Sequence, residues 1–392
     1  MNAMVKKGIF HMRFVYLVMI IFFVSLNLRP SITSIGPLLD IIQMDLGMGA
    51  MTASLLTALP VFCMGLFAIL AIKLNSRLGI EKSLLIAMSL IVVATFLRVF
   101  VHNSFLLFAT ALFSGIGIGI AGPLITGFIK KYFPNKLGLM GVYSVSMVIG
   151  AAVASSLSVP LYQSMHESWQ NALSFWGILA IPAFLLLIPL LTKAEKSKDT
   201  LQMSALFVKN KRMTLFMLLF GCMAAIFYSL TAWLAPIVQS MGFSYSQSGL
   251  ILTLFTVIQI PVSFLIPIFV SKTGDRKFWL LVCSLSEIIG ILILLLHFSP
   301  WVATVFLGIG AGGLFPLALL LPMQEAKNSE QTVSWSAMMQ FGGYLLGALG
   351  PAFVGLTVDV FENFVPALVG LLIIICVMLA TILKIGNNEH VV

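Results

Sequence analysis

Twelve stretches of about twenty apolar residues, divided by short polar loops, leave this chain essentially one way to fold. A helix of about 20 apolar residues crosses the hydrocarbon core of a bilayer, and in lipid only helices and closed barrels satisfy every backbone donor and acceptor. The stretches lie at 12–39, 50–72, 83–101, 105–128, 138–160, 169–192, 214–239, 246–270, 278–297, 301–322, 333–358 and 364–385. Of the 392 residues, 60% are hydrophobic and 9% charged, against about 25% charged in a soluble domain. The expectation is an all-α membrane protein of twelve transmembrane helices. The first stretch follows Lys6 and Lys7 like a signal peptide, but it is too long and has no small-residue cleavage site, so it is read as a retained span.

The net charge of +9 invites a nucleic-acid partner, but the positions of the charges argue otherwise. Of the 22 Lys and Arg residues, 20 fall before span one or at its first residues, at the last residues of span twelve, or in the loops after spans two, four, six, eight and ten. The alternate loops carry Asp40, Asp45, Glu167, Asp359 and Glu362 instead. By the positive-inside rule both termini lie in the cytoplasm of a cell whose cytoplasmic membrane holds the chain. An error of one span would scramble the alternation, so it supports the count independently. The four cysteines all fall in apolar runs and read as small buried hydrophobes. The scattered histidines have no metal-ligand spacing, and no metal or cofactor is expected. No H-E-x-x-H, G-x-S-x-G or phosphate-cradling loop occurs, which argues against an enzyme or an ATP-driven machine. A non-transporting receptor usually brings a sizeable soluble domain, and none is visible.

The long basic stretch at 193–213 divides the chain into a first six-helix bundle, 1–192, and a second, 214–392. The halves echo each other. Gly115-Ile-Gly117-Ile-Gly119 leads to Pro123 in span four, and Gly308-Ile-Gly310-Ala-Gly312 leads to Pro316 in span ten. A repeat in the same orientation implies two bundles related by an axis along the membrane normal.

The two basic residues outside the pattern are Arg29 and Arg98. Arg98 lies near the outer end of span three, where snorkelling to the headgroups is expected. Arg29 sits deep in span one, within Asn27-Leu28-Arg29-Pro30, and Pro30 should kink the helix. A guanidinium stays charged and costs about 3 kcal/mol at mid-bilayer, so it should face a wet cavity. It is the first candidate for substrate contact; the alternative is a structural ion pair or a bond to a carbonyl freed by Pro30. Further substrate-binding candidates are Asn27, Tyr143, Tyr228, Trp233, Gln259, Gln340 and Tyr344, with interhelical bonding as the alternative for each. Gln340 and Tyr344 are four apart and can share a helix face. Glu287, in span nine, is the acidic residue deepest in a span and a candidate for proton coupling, or else a protonated group bonded to a neighbouring helix.

The chain resembles the major facilitator superfamily over its whole length. The loop Gly274-Asp275-Arg276-Lys277 is similar to that superfamily's basic-acidic signature; in the first half Asn75 stands where an Asp is usual, near Arg77. Within the superfamily it resembles the cyanate permease-like branch, which includes nitroimidazole transporters. The resemblance is carried by Asn27-Leu-Arg29-Pro30, Thr231-Ala-Trp233-Leu-Ala-Pro236, Phe315-Pro316 and the stretch from Ser336 through Gln340 and Tyr344 to Gly350-Pro351. It implies a monomeric secondary transporter, a symporter or antiporter, for a small, often anionic or planar polar solute, with spans one, four, seven and ten lining the cavity. It also implies that Asp275, Arg276 and Arg77 stabilise one access state and bind no solute. Proton-driven efflux of drugs or nitroheterocycles is the alternative.

Overall fold

The computed structural model describes residues 2–134, 136, 138–193 and 210–385, so most of the linker expected at 193–213 lies outside the described residues. Twelve helices are long and apolar enough to cross a membrane. They are α1 (Met12–Leu46), α2 (Met51–Ala68), α3 (Ile80–Phe100), α4 (Ser104–Tyr132), α5 (Leu139–Ser164), α6 (Trp169–Leu191), α7 (Lys211–Ser240), α8 (Gln247–Thr273), α9 (Arg276–Leu295), α10 (Pro300–Glu325), α11 (Ser329–Phe361) and α12 (Val365–Ile385). No strand occurs among the described residues. Several helices outrun the apolar stretches. The first continues to Leu46 rather than stopping at 39, because a short amphipathic helix, Leu39–Leu46, follows before Gly47 turns the chain at φ +62°.

The helices form two pseudo-symmetric six-helix bundles. Within the first, α4 packs on α2 and α3, and α1 on α5 and α6; within the second, α10 packs on α8 and α9, and α7 on α11 and α12. The halves meet where α5 touches α8 and where α2 and α4 touch α11. The glycine echo in the sequence becomes two matching seams. Gly115 and Gly119 press on Pro60 and Met64 of α2, and Gly117 on Ala87 and Ile91 of α3. In the second half Gly308 and Gly312 press on Phe255, Ile258 and Gln259 of α8, and Gly310 on Cys283 and Glu287 of α9. Outward faces carry Phe105, Phe113, Leu185, Phe264, Leu285, Leu349 and Leu383, as a lipid-facing surface requires. Cys63, Cys222 and Cys283 are buried as expected, whereas Cys376 is exposed on the outside of α12.

Candidate functional site

The site is built on a break in α1. The regular helix stops at Leu26 and resumes at Pro30. Pro30 has no N–H to donate, and the residues before it tighten into turns, Asn27 N to Val24 O at 3.2 Å and Leu28 N to Ser25 O at 3.1 Å. A second loosening follows: Ile35 N donates to Ile32 O at 3.3 Å, not to Ser31 O. Arg98 answers it. Its Nη2 donates to the orphaned Ser31 carbonyl at 2.8 Å, and the side chain is fully buried. Arg98 therefore does not snorkel to the headgroups as expected; an unpaired carbonyl in a dry interior is the stronger acceptor.

Arg29 emerges at the break with 4% of its surface exposed. Its Cζ lies 4.1 Å from the centre of the Phe227 ring and 4.7 Å from that of Phe315. No carboxylate pairs with it among the described residues, and its Nε and Nη1 have no hydrogen-bond partner. Desolvated cation–π contacts are worth about 2 kcal/mol each, enough to offset an insertion cost of about 3 kcal/mol. The rings thus tolerate the charge but leave the donors of Nε and Nη1 unused. Around it stand Met223, Ala224 and Tyr228 of α7, Ala311 of α10 and Tyr344 of α11. The void among them offers about 10 Å³ to the centre of a water molecule, room for one water. The wet cleft expected beside Arg29 is therefore closed in this structure. The Tyr228 and Tyr344 rings lie 6.3 Å apart, and Tyr143 of α5 is near enough to feel the charge of Arg29.

Contacts between the halves lie towards both ends of this void. Towards the end that carries the basic loops, Thr126 donates to Ser336 at 2.9 Å, Ser329 to the Gly127 carbonyl at 3.1 Å and Lys130 to the Met323 carbonyl at 3.4 Å. Towards the other end, Gly355 lies against Ser54, and Gly36 against the Thr231 carbonyl.

The other predicted residues divide. Tyr143, Tyr228 and Tyr344 gather round Arg29. Gln340 projects from α11 against Gly122 of α4, where a Cβ would lie 2.5 Å from its Oε1, and its Nε2 is unpartnered. Asn27 turns away: its amide donates to Phe23 O at 2.8 Å and to Leu179 O on α6 at 2.9 Å. Trp233 sits towards the acidic end, donating to Pro351 O at 3.2 Å and covering Gly355. Gln259 donates to Phe255 O of its own helix at 2.9 Å and backs on Gly312. Asn27, Trp233 and Gln259 thus do not line the void. Glu287 lies apart from it on α9, fully buried, with neither carboxyl oxygen hydrogen-bonded.

The Major Facilitator Superfamily model matches residues 15–351. The chain belongs to the major facilitator superfamily. It is 33% identical over 376 residues to an uncharacterized transporter of Bacillus subtilis, covering 95% of this chain and 93% of that one. It is 30% identical over 352 residues to the cyanate transport protein CynX of Escherichia coli, covering 89% and 91%. The 2-nitroimidazole transporter of Escherichia coli is 29% identical over 383 residues, covering 95% of each. The solved structure of the superfamily transporter FucP in its outward conformation superposes with a TM-score of 0.72 over 96% of this chain and 99% of that one, at 14% identity. That likeness concerns the fold.

In this superfamily member the two basic-end loops are wired differently. Gly274, at φ +69°, ends α8, and Asp275 caps α9 by accepting from Phe278 N at 3.0 Å. Arg276 bonds Gln324 of α10, whose neighbour Glu325 pairs with Arg212 of α7 at 2.8 Å. Arg77 is exposed and makes no side-chain bond among the described residues. The first half instead buries Glu81, which accepts from Lys131 at 2.8 Å and the Tyr132 hydroxyl at 2.7 Å. Sequence reasoning passed over Glu81, though a carboxylate just after Gly79 and level with the basic end of α4 was a usable signal. It also passed over Phe227, and it read Phe315 as part of a motif and not of the site, because apolar composition hides both among 31 phenylalanines.

Proposed function

We propose that the chain is a secondary active transporter that moves a small anion, linear cyanate or a short planar organic anion, across the cytoplasmic membrane by alternating access. One observation carries this reading: a permanent cation, buried between the bundles, with aromatic rings for company and unused N–H donors. Such an anion entering from an opened end takes up those donors with charge-assisted bonds. The void then closes around it as the bundles rock, and Thr126–Ser336, Ser329–Gly127 and Lys130–Met323 part when the basic end opens. Gln340 Nε2 and the Tyr143, Tyr228 and Tyr344 hydroxyls supply further polar contacts. The names of two relatives, a cyanate transport protein and a 2-nitroimidazole transporter, agree with a flat, compact cargo.

Glu287 couples the cycle to protons in this reading. Its carboxyl group is buried within a span without a hydrogen-bond partner, and intramembrane acids of that kind are the usual carriers of protons. Both termini face the cytoplasm, on the distribution of Lys and Arg, and the chain works as a monomer divided near the 193–213 linker. The apolar, aromatic wall of the void favours a second reading, proton-driven efflux of nitroheterocycles.

The test is flux in proteoliposomes holding the full chain, with labelled cyanate, small carboxylates and 2-nitroimidazole, with and without a pH gradient. Saturable cyanate or carboxylate uptake that responds to the gradient supports the first reading. Flux of 2-nitroimidazole alone supports the second, and no flux of any of them sinks both.

A further inference from the structure

A groove of about 500 Å³ opens at the basic end of the first bundle, between the start of α1 and the end of α4, away from the central void. Its walls are Phe14, Leu17, Tyr132, Phe133 and Pro134, and its rim carries Arg13, Lys131 and Lys136. Phe14 and Phe133 meet edge-on at 5.3 Å and, with buried Leu17, form an apolar floor. The cations are arranged around that floor. Lys131 is fixed on buried Glu81 at 2.8 Å. Lys136 Nζ lies 4.2 Å from the centre of the Phe14 ring. Arg13 is exposed and has no side-chain partner among the described residues. With Glu81 counted, the groove keeps two net positive charges.

We infer that this groove binds the headgroup of an anionic phospholipid, with the phosphate on Arg13 and Lys136 and the glycerol and upper acyl chain on Phe14, Leu17 and Phe133. It lies at the end of the span that begins at Met12, at the depth of the headgroups, and its mixture of cations and apolar floor suits an amphiphile better than a free ion. The stretches that precede α1 and follow α6 in sequence do not complement it. Residues 1–11 carry Lys6 and Lys7 with no acid, and residues 194–209 carry Lys196, Lys198 and Lys209 against Glu195 and Asp199, so both are cationic. The groove would also tie lipid to the first bundle through Lys131 and Glu81, which joins α4 to α3.

The experiment is native mass spectrometry of the full chain released from vesicles of phosphatidylcholine and phosphatidylglycerol in equal amounts. The wild type should retain phosphatidylglycerol in clear preference. Arg13→Gln, a change at an exposed and unpaired residue, should lower that retention roughly fivefold, and adding Lys136→Gln should bring it to the level of phosphatidylcholine. Arg13→Lys with Lys136→Arg should keep the preference. Melting temperature in detergent checks that each variant is folded, and the wild-type preference needs no variant. Equal retention of both lipids by the wild type, or unchanged preference in Arg13→Gln, overturns the assignment. Displacement of the lipid by inorganic phosphate at the same total anion concentration overturns the choice of a lipid over a free phosphate.

Discussion

Helices α1 and α7 hold matching places in the two bundles, and only one of them is broken. The second runs without interruption from Lys211 to Ser240, whereas the first comes apart at 27–29 and again near Ile35. The helices behind them record the difference. The offset of 196 residues that pairs Ala87 with Cys283 and Ile91 with Glu287 at the glycine seams pairs Arg98 with Leu294. Where α1 leaves the Ser31 carbonyl orphaned, α3 supplies a guanidinium; where α7 keeps its ladder, α9 supplies a buried leucine. The reverse holds at the seams. Gly117 faces apolar Ile91 in the first half, and Gly310 faces Glu287 in the second. At these matched places the first bundle thus buries two guanidiniums, Arg29 and Arg98, around a broken helix, and the second buries the acid Glu287. The shared frame sets how closely the helices approach, and the unshared polar residues mark where the halves have separate tasks.

Making the halves alike should hurt most where it buries a charge without an acceptor. Leu294→Arg buries a guanidinium in a bundle whose unbroken α7 frees no carbonyl for it, at a cost of several kcal/mol, and should yield little folded protein by size-exclusion chromatography in detergent. Arg98→Leu performs the opposite exchange. It leaves the Ser31 carbonyl unsatisfied, so stability should fall by about 1–3 kcal/mol in thermal unfolding, and transport with it. An unchanged melting temperature would show that the break does not depend on Arg98.

Glu287→Ile copies the first half's residue into the second. Replacing an unpartnered buried carboxyl by a hydrophobe should raise stability by about 1–2 kcal/mol. The same variant should lose any response of flux to a pH gradient. Flux that still follows the gradient would remove Glu287 from coupling. The smallest contrast lies in the seams. A Cβ at Gly119 would sit 2.5 Å from the Met64 oxygen, and one at Gly312 would sit 2.9 Å from Gln259 Cα. Gly119→Ala should therefore cost about 1–3 kcal/mol and Gly312→Ala less, measured by the same unfolding transition. Equal costs would mean that the two seams relax alike.

The twelve spans were legible because lipid imposes a length and a polarity that local sequence must meet, and the glycine echo because it repeats locally. Arg29 was legible for the same reason: its charge breaks a rule that applies residue by residue. What lies beside it was not. Asn27 is two residues from Arg29, but the broken helix sends its amide to α6, a direction that helical periodicity does not give. Trp233 and Gln259 lie on helices that approach the centre, yet their partners are Pro351 and Phe255. Tyr228 and Tyr344 line the void beside the guanidinium from helices far apart in sequence, which only packing reveals. The closed void was hidden too, because it depends on side chains from both halves meeting at once. Arg98 was misjudged because its acceptor exists only after α1 has broken.

The central claim is that Arg29 grips a small anion through its fork of donors. The most direct measurement is the affinity of the purified full chain for cyanate, by calorimetry or flux competition, in wild type and Arg29→Lys. The lysine keeps the charge but not the planar donors, so affinity should fall roughly 30-fold while melting temperature changes little. Equal affinity in the two proteins would contradict the claim.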